Sequence, residues 1–197
     1  MSLRIEEKLR IEKKNLYILR KWLSLKNFKK LYPKRILTSL YFDNQDLQMY
    51  HDSIEGIVPR KKIRIRYYNN VLDKIYLEKK INSIEGRFKV SNKISKIKMN
   101  QYCKKGYTDK NYGVCNEKIK INYEREYFYD GKIRITIDSK IGFQKYNSYF
   151  HFKSSEIVAE IKTDFNFDRN FLNDLPFDKT RFSKYCNGII KTYRFND

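Results

Sequence analysis

Hydrophobic and polar residues alternate along much of the chain, and a period of two is typical of β-strands that have one apolar and one polar face. The alternation is sharpest over 62–68, where Ile63 points opposite to Arg64. Turn signals such as Asp130-Gly131 separate the alternating segments and fit antiparallel hairpins. The pattern therefore predicts a sheet built mainly from antiparallel strands. The other alternating segments lie at 36–43, 76–81, 87–90, 119–129, 133–138 and 157–162.

A helical period occurs near the N-terminus. Apolar residues recur among lysines from Leu16 to Leu31, and Pro33 follows them. We predict an amphipathic helix that packs on the core through this apolar stripe. Residues 1–9 are predicted to be a charged lead-in, and the lysine-rich segment 91–117 to be helix and loop covering the sheet.

Composition narrows the class of protein. The chain has 197 residues, of which 41% are hydrophobic and 16% aromatic, so we expect one globular domain instead of a disordered chain. No segment has the roughly 18 uncharged apolar residues that span a bilayer, and the N-terminus lacks a signal-peptide core. We therefore expect a cytoplasmic protein with no membrane span.

The net charge of +20 indicates an anionic partner, such as polyphosphate, a nucleotide, nucleic acid or a membrane surface. The chain contains one alanine and many Lys, Asn and Ile residues, a composition that suggests A- and T-rich codons. Many lysines are then ordinary surface residues. Arginines at ordered spacings carry more information about function.

Cysteine and histidine give no functional signal. Three cysteines without a Cys-x-x-Cys spacing predict neither a disulfide framework nor a zinc site, so we interpret Cys103, Cys115 and Cys186 as reduced packing residues. His51 and His151 are isolated in the sequence, and we expect both at the surface.

The alternating charges allow two interpretations. In the first, each strand has one core face and one solvent face, so the charges point at water. In the second, the strands close into a barrel whose charged faces line a wet tunnel. Arg64 and Arg66 then face solvent-filled space. Arginine and lysine are suited to phosphate there, and a few carboxylates would hold a divalent cation against it.

Six short strings, in this order along the chain, resemble the VTC domain. They are Ser39-Leu40-Tyr41-Phe42-Asp43, Lys62-Ile63-Arg64-Ile65-Arg66, Leu77-Glu78-Lys79-Lys80, Arg134-Ile135-Thr136-Ile137-Asp138, Glu160-Ile161-Lys162 and Phe182-Ser183-Lys184-Tyr185. That family comprises polyphosphate polymerases among the triphosphate tunnel metalloenzymes, whose relatives include CYTH-type adenylate cyclases and triphosphatases. The resemblance runs from about Arg10 to Gly188.

The resemblance implies an α+β fold, an eight-stranded antiparallel β tunnel barrel with a few covering helices, in one domain over 1–197. It also implies an enzyme that moves the γ-phosphate of ATP onto a growing polyphosphate chain, with Mn²⁺ or Mg²⁺ as cofactor. ATP or another triphosphate and polyphosphate are the implied partners.

By the same resemblance, the expected site residues fall into three groups. The substrate-binding residues are Lys14, Arg64, Arg66, Lys80, Arg87, Lys89, Tyr123, Arg125, Arg134, Lys162, Arg181, Ser183 and Lys184. The catalytic residues are Arg64, Arg66, Lys80, Arg125 and Glu160. The metal ligands are Glu160, Glu12 and Glu78.

One motif departs from its relatives. The CYTH branch begins with Glu-x-Glu-x-Lys, whereas the corresponding string is taken to be Arg10-Ile11-Glu12-Lys13-Lys14. Arginine replaces the first glutamate, so one metal ligand of that pattern is missing, which favours the VTC branch. The basic position after the Glu-x-Lys strand is Arg87 or Lys89, because both lie on one strand face.

Alternatives stay open at this point. Glu12 and Glu78 are equally well explained as salt-bridge partners of neighbouring basic residues, and Tyr123 as a packing residue. A hydrolase of triphosphate or nucleoside triphosphates would use the same fold and site. Nucleic-acid binding fits the charge and the aromatic content, but no RNP, KH or zinc-finger pattern is present.

Overall fold

The computed structural model describes residues 4–164, 175 and 177–193. In these residues, ten strands and four α-helices make an α+β protein, as the family resemblance implies. The strands are β1 (Arg4–Ile11), β2 (Lys29–Asp43), β3 (Arg60–Tyr68), β4 (Val71–Ser83), β5 (Gly86–Ile94), β6 (Tyr107–Asp109), β7 (Gly113–Tyr129), β8 (Arg134–Lys145), β9 (Phe152–Lys153) and β10 (Ile157–Asp164). The helices are α1 (Leu16–Leu25), α2 (Gln48–Glu55), α3 (Lys96–Lys105) and α4 (Lys184–Thr192), and a short 3₁₀ helix covers Lys13–Asn15.

The strands form one sheet with eight of them in a single path. The order is β1-β10-β8-β7-β2-β3-β4-β5, with β6 added beside β7 and β9 beside β8. The pairs β1/β10, β10/β8, β2/β3, β3/β4 and β4/β5 are antiparallel. The path therefore has the predicted eight strands and direction. In the described part of the chain it is open, with β1 and β5 as its end strands.

The chain divides into two compact units. The first unit contains Met1–Arg35, Tyr123–Ile141 and Lys153–Phe182, and the second contains Ile36–Asn122, Gly142–Phe152 and Ser183–Asp197. Long strands β2, β7 and β8 contribute one end to each unit. Each unit has its own hydrophobic core. The expectation of one domain over 1–197 stays a prediction.

The core of the first unit lies between α1 and one face of β1, β10 and β8. Leu19, Trp22 and Leu23 are the buried residues of α1. They belong to one cluster with buried residues of the three strands, such as Leu9 and Ile135. The predicted amphipathic helix is thus confirmed as a helix that packs through its apolar stripe.

The helix is shorter than predicted, since α1 ends at Leu25 and β2 begins at Lys29. Asn27 adopts a left-handed backbone conformation, with φ of 58°, and the Phe28 N–H donates to the Leu23 carbonyl at 2.9 Å. Such a left-handed residue terminates a helix by satisfying its last carbonyls. Phe28 then stacks on Trp22, so the chain leaves the helix before Leu31.

The predicted lead-in at 1–9 is wrong, because β1 occupies Arg4–Ile11 and pairs with β10. Residues 4–11 do alternate with a period of two, but most of them are charged, so the apolar face is hard to recognise in the sequence. Leu9 and Ile11 are buried in the first core. Glu6, Lys8 and Arg10 alternate with them and so lie on the opposite face.

The core of the second unit lies on the apolar face of β2, β3 and β4. Ile63 and Ile65 of β3 are fully buried there, together with Met49 of α2 and Met99 of α3. Helices therefore cover the apolar strand face in this unit, and the charged residues of β3 lie on the other face. The segment 91–117 contains the end of β5, then α3, β6 and the start of β7.

Sequence periodicity missed α2 and α4, because they have only 8 and 9 residues. In both helices, polar side chains accept hydrogen bonds from backbone N–H groups near the helix start. The Asp43 carboxylate accepts the N–H groups of Met49 and Tyr50 in α2, each at 3.0 Å. The Ser183 hydroxyl accepts the Cys186 N–H at the start of α4, at 3.3 Å. Such N-terminal caps satisfy backbone donors that have no partner in the helix.

The remaining sequence expectations concern single residues. Cys103, Cys115 and Cys186 are free thiols. His51 and His151 are exposed, as predicted. Among the residues that the structure describes, no helix is both long enough and apolar enough to cross a membrane.

Candidate functional site

The second unit contains a charged strand face centred on Glu78. Antiparallel pairing places Arg64 of β3 directly across from Glu78 of β4 and from Tyr41 of β2. Glu78 Oε2 accepts Arg64 Nε at 2.7 Å and lies 2.6 Å from Arg64 Nη2. Arg66 Nη1 is 3.5 Å from the same oxygen, and Lys89 Nζ is 2.5 Å from Oε1. One carboxylate therefore forms ion pairs with three cations.

Burial makes this cluster strongly electrostatic. Only 4% of the Glu78 side chain and 7% of the Arg66 side chain are exposed. Burial raises the pKa of Glu78, but the guanidinium groups of Arg64 and Arg66 and the Lys89 ammonium outweigh it, so this pKa lies far below its usual range. Glu78 is thus a permanent anion that holds the two arginines.

This geometry changes two expectations. Arg64 and Arg66 were expected in solvent-filled space, whereas both form ion pairs with Glu78, with Arg66 buried and Arg64 partly buried. The prediction of Glu78 as a metal ligand stays untested, but its oxygens already face two arginines and a lysine. The arrangement favours the alternative, in which Glu78 is a salt-bridge partner that orients phosphate-binding side chains.

A row of three lysines lies beside the cluster. Lys80 is directly across from Lys62 on one neighbouring strand and from Lys89 on the other. Like charges that face each other across strands are destabilising without a counter-ion. Lys89 reaches Glu78, and Lys62 Nζ donates to the Ser183 hydroxyl at 2.9 Å. Lys80 thus lies between two other lysines on neighbouring strands.

The edge strand β5 extends the same face. Arg87 pairs with Asn82 and Lys89 pairs with Lys80, so both side chains lie on the face of Glu78. The two candidates for the basic position thus share one face. They differ in their contacts, because Lys89 forms an ion pair with Glu78. Arg87 is exposed farther along the strand.

The start of α4 is attached to this face. Ser183 caps the helix and accepts a hydrogen bond from Lys62, so its hydroxyl connects α4 to β3. Lys184 follows in the first turn. Its charge contributes to lowering the pKa of the Tyr41 phenol, which means that the ammonium group lies near the Arg64 cluster.

The first unit has a second charged cluster, built on Arg125 of β7. Arg125 donates from Nε to Asp138 Oδ1 at 2.5 Å and from Nη2 to Oδ2 at 2.7 Å, a two-bond pair. Asp138 is completely buried. Burial lowers the pKa of Arg125, but the Asp138 carboxylate outweighs it and raises this pKa well above its usual value. The Arg125 guanidinium also lies over the Tyr123 ring, 5.3 Å from its centroid.

Glu160 of β10 lies on the same face as this pair. Its carboxylate is 2.7 Å from Lys162 Nζ, and that ammonium is 3.6 Å from Glu6 Oε2. Lys162 therefore lies between two carboxylates. Lys8 is directly across from Glu160 on β1, and Thr136 is directly across from it on β8.

The donors around Glu160 fit a hard divalent cation. Mg²⁺ and Mn²⁺ prefer oxygen ligands, and Mg²⁺ is usually held by one or two carboxylates, with waters and substrate phosphates completing the shell. Glu160 and Glu6 supply two carboxylates around a point where Lys162 now provides the positive charge. Next to Glu160, the buried Thr136 hydroxyl has no hydrogen-bond partner among the residues that the structure describes. Within the described residues, no cluster of three or more acidic, His or Cys side chains is preformed for a metal.

A family comparison adds to this geometry. The model of the VTC domain matches residues 3–193. The chain belongs to the VTC domain family. The match begins just before β1, whereas the sequence strings suggested a start near Arg10.

Solved structures share the fold of this VTC domain. A candidate adenylate cyclase from Bacillus halodurans gives a TM-score of 0.62 at 14% identity, over 98% of each chain. A candidate adenylyl cyclase from Hippeastrum, described as having a dominant triphosphatase activity, gives 0.59 at 14% identity, over 98% of this chain and 97% of its own. A protein from Pyrococcus horikoshii gives 0.58 at 17% identity, over 96% and 99%. A search of curated proteins found no match.

Two residues on the Glu160 face, Glu6 and Lys8, are absent from the site residues expected from the sequence. The pattern Arg-Ile-Glu-x-Lys occurs twice, at 4–8 and at 10–14, and the expectation rests on the second copy. The structure places the first copy on β1, so Glu6 and Lys8 lie on the charged face. The repeated pattern was the signal that could have identified both residues.

The second copy of the pattern, at 10–14, begins at the end of β1 and continues into the 3₁₀ helix. Glu12 and Lys14 form an ion pair at 2.9 Å, with 67% and 78% of their side chains exposed. Their predicted roles stay predictions, although this placement favours the salt-bridge interpretation of Glu12. The reason is that β1 ends at Ile11 and the chain turns into the 3₁₀ helix.

The structure also describes the positions of Arg134, Lys162, Tyr123 and Arg181, which the sequence predicts for the site. Arg134 pairs with Lys162 across β8 and β10, so both lie on the Glu160 face. Tyr123 is buried under Arg125, which combines packing with a cation–π contact. Arg181 is exposed in the segment before α4.

Proposed function

We propose that the protein is a metal-dependent phosphotransferase that extends polyphosphate with the γ-phosphate of ATP. The observation that carries this proposal is the charge of the strand face in the second unit. Eight basic side chains of β3, β4 and β5 share it with the acidic side chains of Asp43 and Glu78. The basic residues are Arg60, Lys62, Arg64, Arg66, Lys80, Arg87, Lys89 and Lys93.

Such a face is suited to a chain of phosphates. Each internal phosphate of polyphosphate carries about one negative charge, and arginine binds two phosphate oxygens at once while lysine acts as a point charge. Glu78 holds Arg64 and Arg66 in fixed orientations, so less side-chain entropy is lost when phosphate binds. The lysine row then supplies charge for further phosphates.

The first unit supports the metal dependence. We assign Glu160 and Glu6 as the side chains that would hold Mn²⁺ or Mg²⁺, because their carboxylates share one cation, Lys162. The bound ion would neutralise charge on the phosphate oxygens. Arg125, held by Asp138, is assigned to phosphate on the same strand face.

Phosphoryl transfer needs little covalent chemistry from the protein. The terminal oxygen of the acceptor, polyphosphate or orthophosphate, forms a bond to the γ-phosphorus as the bond to ADP breaks. The protein aligns these oxygens and stabilises the charge on the transferred group. Arg64, Arg66, Lys80 and Arg125 are the residues assigned to that task.

Product analysis tests the proposal. The purified protein is incubated with ATP and Mn²⁺, and the products are separated on a gel. We expect a ladder of acid-labile polymer that disappears in Arg64→Ala. Arg35→Ala is the matched control, because Arg35 packs over the Tyr32 ring outside both clusters. The proposal is contradicted if the protein gives no polymer with Mn²⁺ or with Mg²⁺.

Hydrolysis of triphosphate is the second candidate. It is favoured by the Hippeastrum neighbour, which is described as a triphosphatase. The same side chains would bind the substrate, and water would replace the acceptor phosphate. Free phosphate without polymer, with tripolyphosphate or ATP as substrate, is the result that supports this alternative.

Nucleic-acid binding is supported less well. Binding of single strands uses exposed aromatic side chains next to mobile cations. Here Tyr41, the aromatic residue that contacts Arg64, is itself buried. A cytoplasmic location stays a prediction.

A further inference from the structure

Arg64 is held from a second side by a tyrosine that the phosphate chemistry does not use. Arg64 Nη1 donates to the Tyr41 hydroxyl at 2.8 Å, while Nε and Nη2 point to Glu78. Every nitrogen of this guanidinium thus has a protein partner. The orientation of the guanidinium therefore depends on both Glu78 and Tyr41.

Tyr41 is fixed in turn by Tyr185 of α4. The two rings stack with centroids 5.1 Å apart and an angle of 19° between their planes. The Tyr185 hydroxyl donates to the buried Asp43 carboxylate. Asp43 also accepts the Met49 and Tyr50 N–H groups of α2. The ring of Tyr41 therefore rests on a second ring whose hydroxyl is held in place by a buried hydrogen bond.

We infer that Tyr41 is a positioning residue for phosphate recognition, with Tyr185 as its support. Through these two rings the guanidinium of Arg64 on β3 is tied to the start of α4, where Ser183 and Lys184 lie. The inference rests on the proposed function, because it assumes that Arg64 binds phosphate. Tyr41 contacts Arg64, and it acts on phosphate only through that side chain.

The charges around Tyr41 give the inference its own signature. Burial raises the pKa of the Tyr41 phenol, but Arg64 and Arg66 on β3 and Lys184 on α4 outweigh it and lower this pKa to about 8. By contrast, burial and the Asp52 carboxylate raise the pKa of Tyr112, and burial raises that of Tyr193 to about 12. Ionised Tyr41 adds a negative charge beside Arg64, so phosphate binding weakens as the pH rises through about 8.

The test is titration calorimetry with tripolyphosphate and no metal, at pH values from 7 to 9.5. Tyr41→Phe keeps the stacked ring and removes the acceptor, so we expect about tenfold weaker binding at pH 7, which is the value of one hydrogen bond to a charged group. We also expect that the affinity of this variant for tripolyphosphate does not decline near pH 8. Tyr185→Phe keeps the stack but frees the ring from Asp43, and we expect a loss of about threefold.

Tyr112→Phe is the matched control. Tyr112 is another buried tyrosine of the second unit, and its hydroxyl donates to the Asp52 carboxylate at 2.6 Å. Its ring belongs to the apolar core, on the side away from Arg64. We expect wild-type affinity and the wild-type pH profile. Equal losses in Tyr112→Phe and Tyr41→Phe overturn the inference.

A double-mutant cycle separates positioning from general destabilisation. In the Arg64→Ala background, Tyr41→Phe should change the dissociation constant less than twofold, because the group that it positions is gone. A full tenfold loss in that background overturns the inference. Circular dichroism confirms that each variant is folded.

Absorbance at 295 nm provides a readout that needs no variant. Tripolyphosphate brings negative charge to Arg64, so it should raise the pKa of Tyr41 and reduce the tyrosinate signal at pH 8.5. A protein without any tyrosine that ionises near pH 8 contradicts the inference even if it binds tripolyphosphate. Failure of the wild-type protein to bind tripolyphosphate contradicts the proposed function instead, while the titration without ligand still tests Tyr41.

Discussion

The two charged clusters use the same ion-pair chemistry but differ in how their carboxylates and cations are arranged. In the second unit, one carboxylate, Glu78, faces Arg64, Arg66 and Lys89. In the first unit, Asp138 neutralises Arg125 one to one. There, Glu160 and Glu6 both contact Lys162, and Glu6 also lies 3.9 Å from Lys8.

The difference separates two tasks. Cations in excess over carboxylates attract phosphate, and the shared anion keeps them oriented without neutralising them. Two carboxylates close to the same point can hold a divalent metal ion. The comparison therefore supports the proposal that the second unit mainly binds the polyanion and the first mainly holds the metal ion.

The strongest test of this division is Glu160→Ala. We expect turnover with Mn²⁺ to fall about 1,000-fold, because a metal ligand is lost and several kcal/mol of charge stabilisation depends on the ion. Binding of tripolyphosphate without metal should change less than about threefold, since the phosphate side chains remain. The measurement is steady-state phosphate transfer together with calorimetry. Unchanged turnover with Mn²⁺ contradicts the assignment of Glu160.

Glu78→Gln tests the shared carboxylate. We expect the free energy of unfolding at pH 7 to fall by about 3 kcal/mol, because three cations lose their buried counter-ion. The folded-state pKa of Glu78 lies below the unfolded value, so the wild-type stabilisation is present above about pH 4.3 and is lost as the pH falls. The penalty of the variant should shrink in the same range. Urea denaturation at pH 7 and pH 3 measures both effects.

Two matched variants sharpen that measurement. Asp138→Asn removes a carboxylate with one arginine partner, so it should cost less than Glu78→Gln. Glu124→Gln removes a surface carboxylate that pairs with Lys34 and Lys140, and it should cost about 0.5 kcal/mol or less. A larger cost for Asp138→Asn than for Glu78→Gln breaks the comparison.

Arg64→Ala tests phosphate binding in the second unit. We expect the dissociation constant for tripolyphosphate to rise about 30-fold, which corresponds to the loss of charge-assisted bonds worth about 2 kcal/mol. Arg35→Ala should bind as the wild type does. Calorimetry without metal is the measurement, and wild-type affinity in Arg64→Ala removes the basis for the assigned phosphate site.

The smallest effect concerns the repeated Arg-Ile-Glu-x-Lys pattern. Lys8→Ala should weaken tripolyphosphate binding about fivefold, because Lys8 lies on the charged face across from Glu160. Lys14→Ala should change it less than about twofold, because Lys14 is exposed and pairs only with its neighbour Glu12 among the contacts described. The reverse ranking supports the second copy of the pattern as the site.

The sequence alone determined most of the strands and their faces. In a strand, neighbouring side chains point to opposite sides, so Ile63 and Arg64 had to separate wherever β3 paired. The charged faces, the amphipathic helix and the family followed from that periodicity and from six short strings. Local backbone geometry was harder to infer. The end of α1 depends on the left-handed Asn27, and the first strand on alternation hidden among charges.

Only the tertiary structure decided which charges meet. The pairing of β3 with β4 brings Glu78 to Arg64, residues 14 positions apart in sequence. The packing of α4 brings Tyr185 to Asp43, which is 142 positions away. Alternation specifies a face but contains no information about the strand beside it, so neither the partners of Glu78 nor the support behind Tyr41 could be inferred from the sequence.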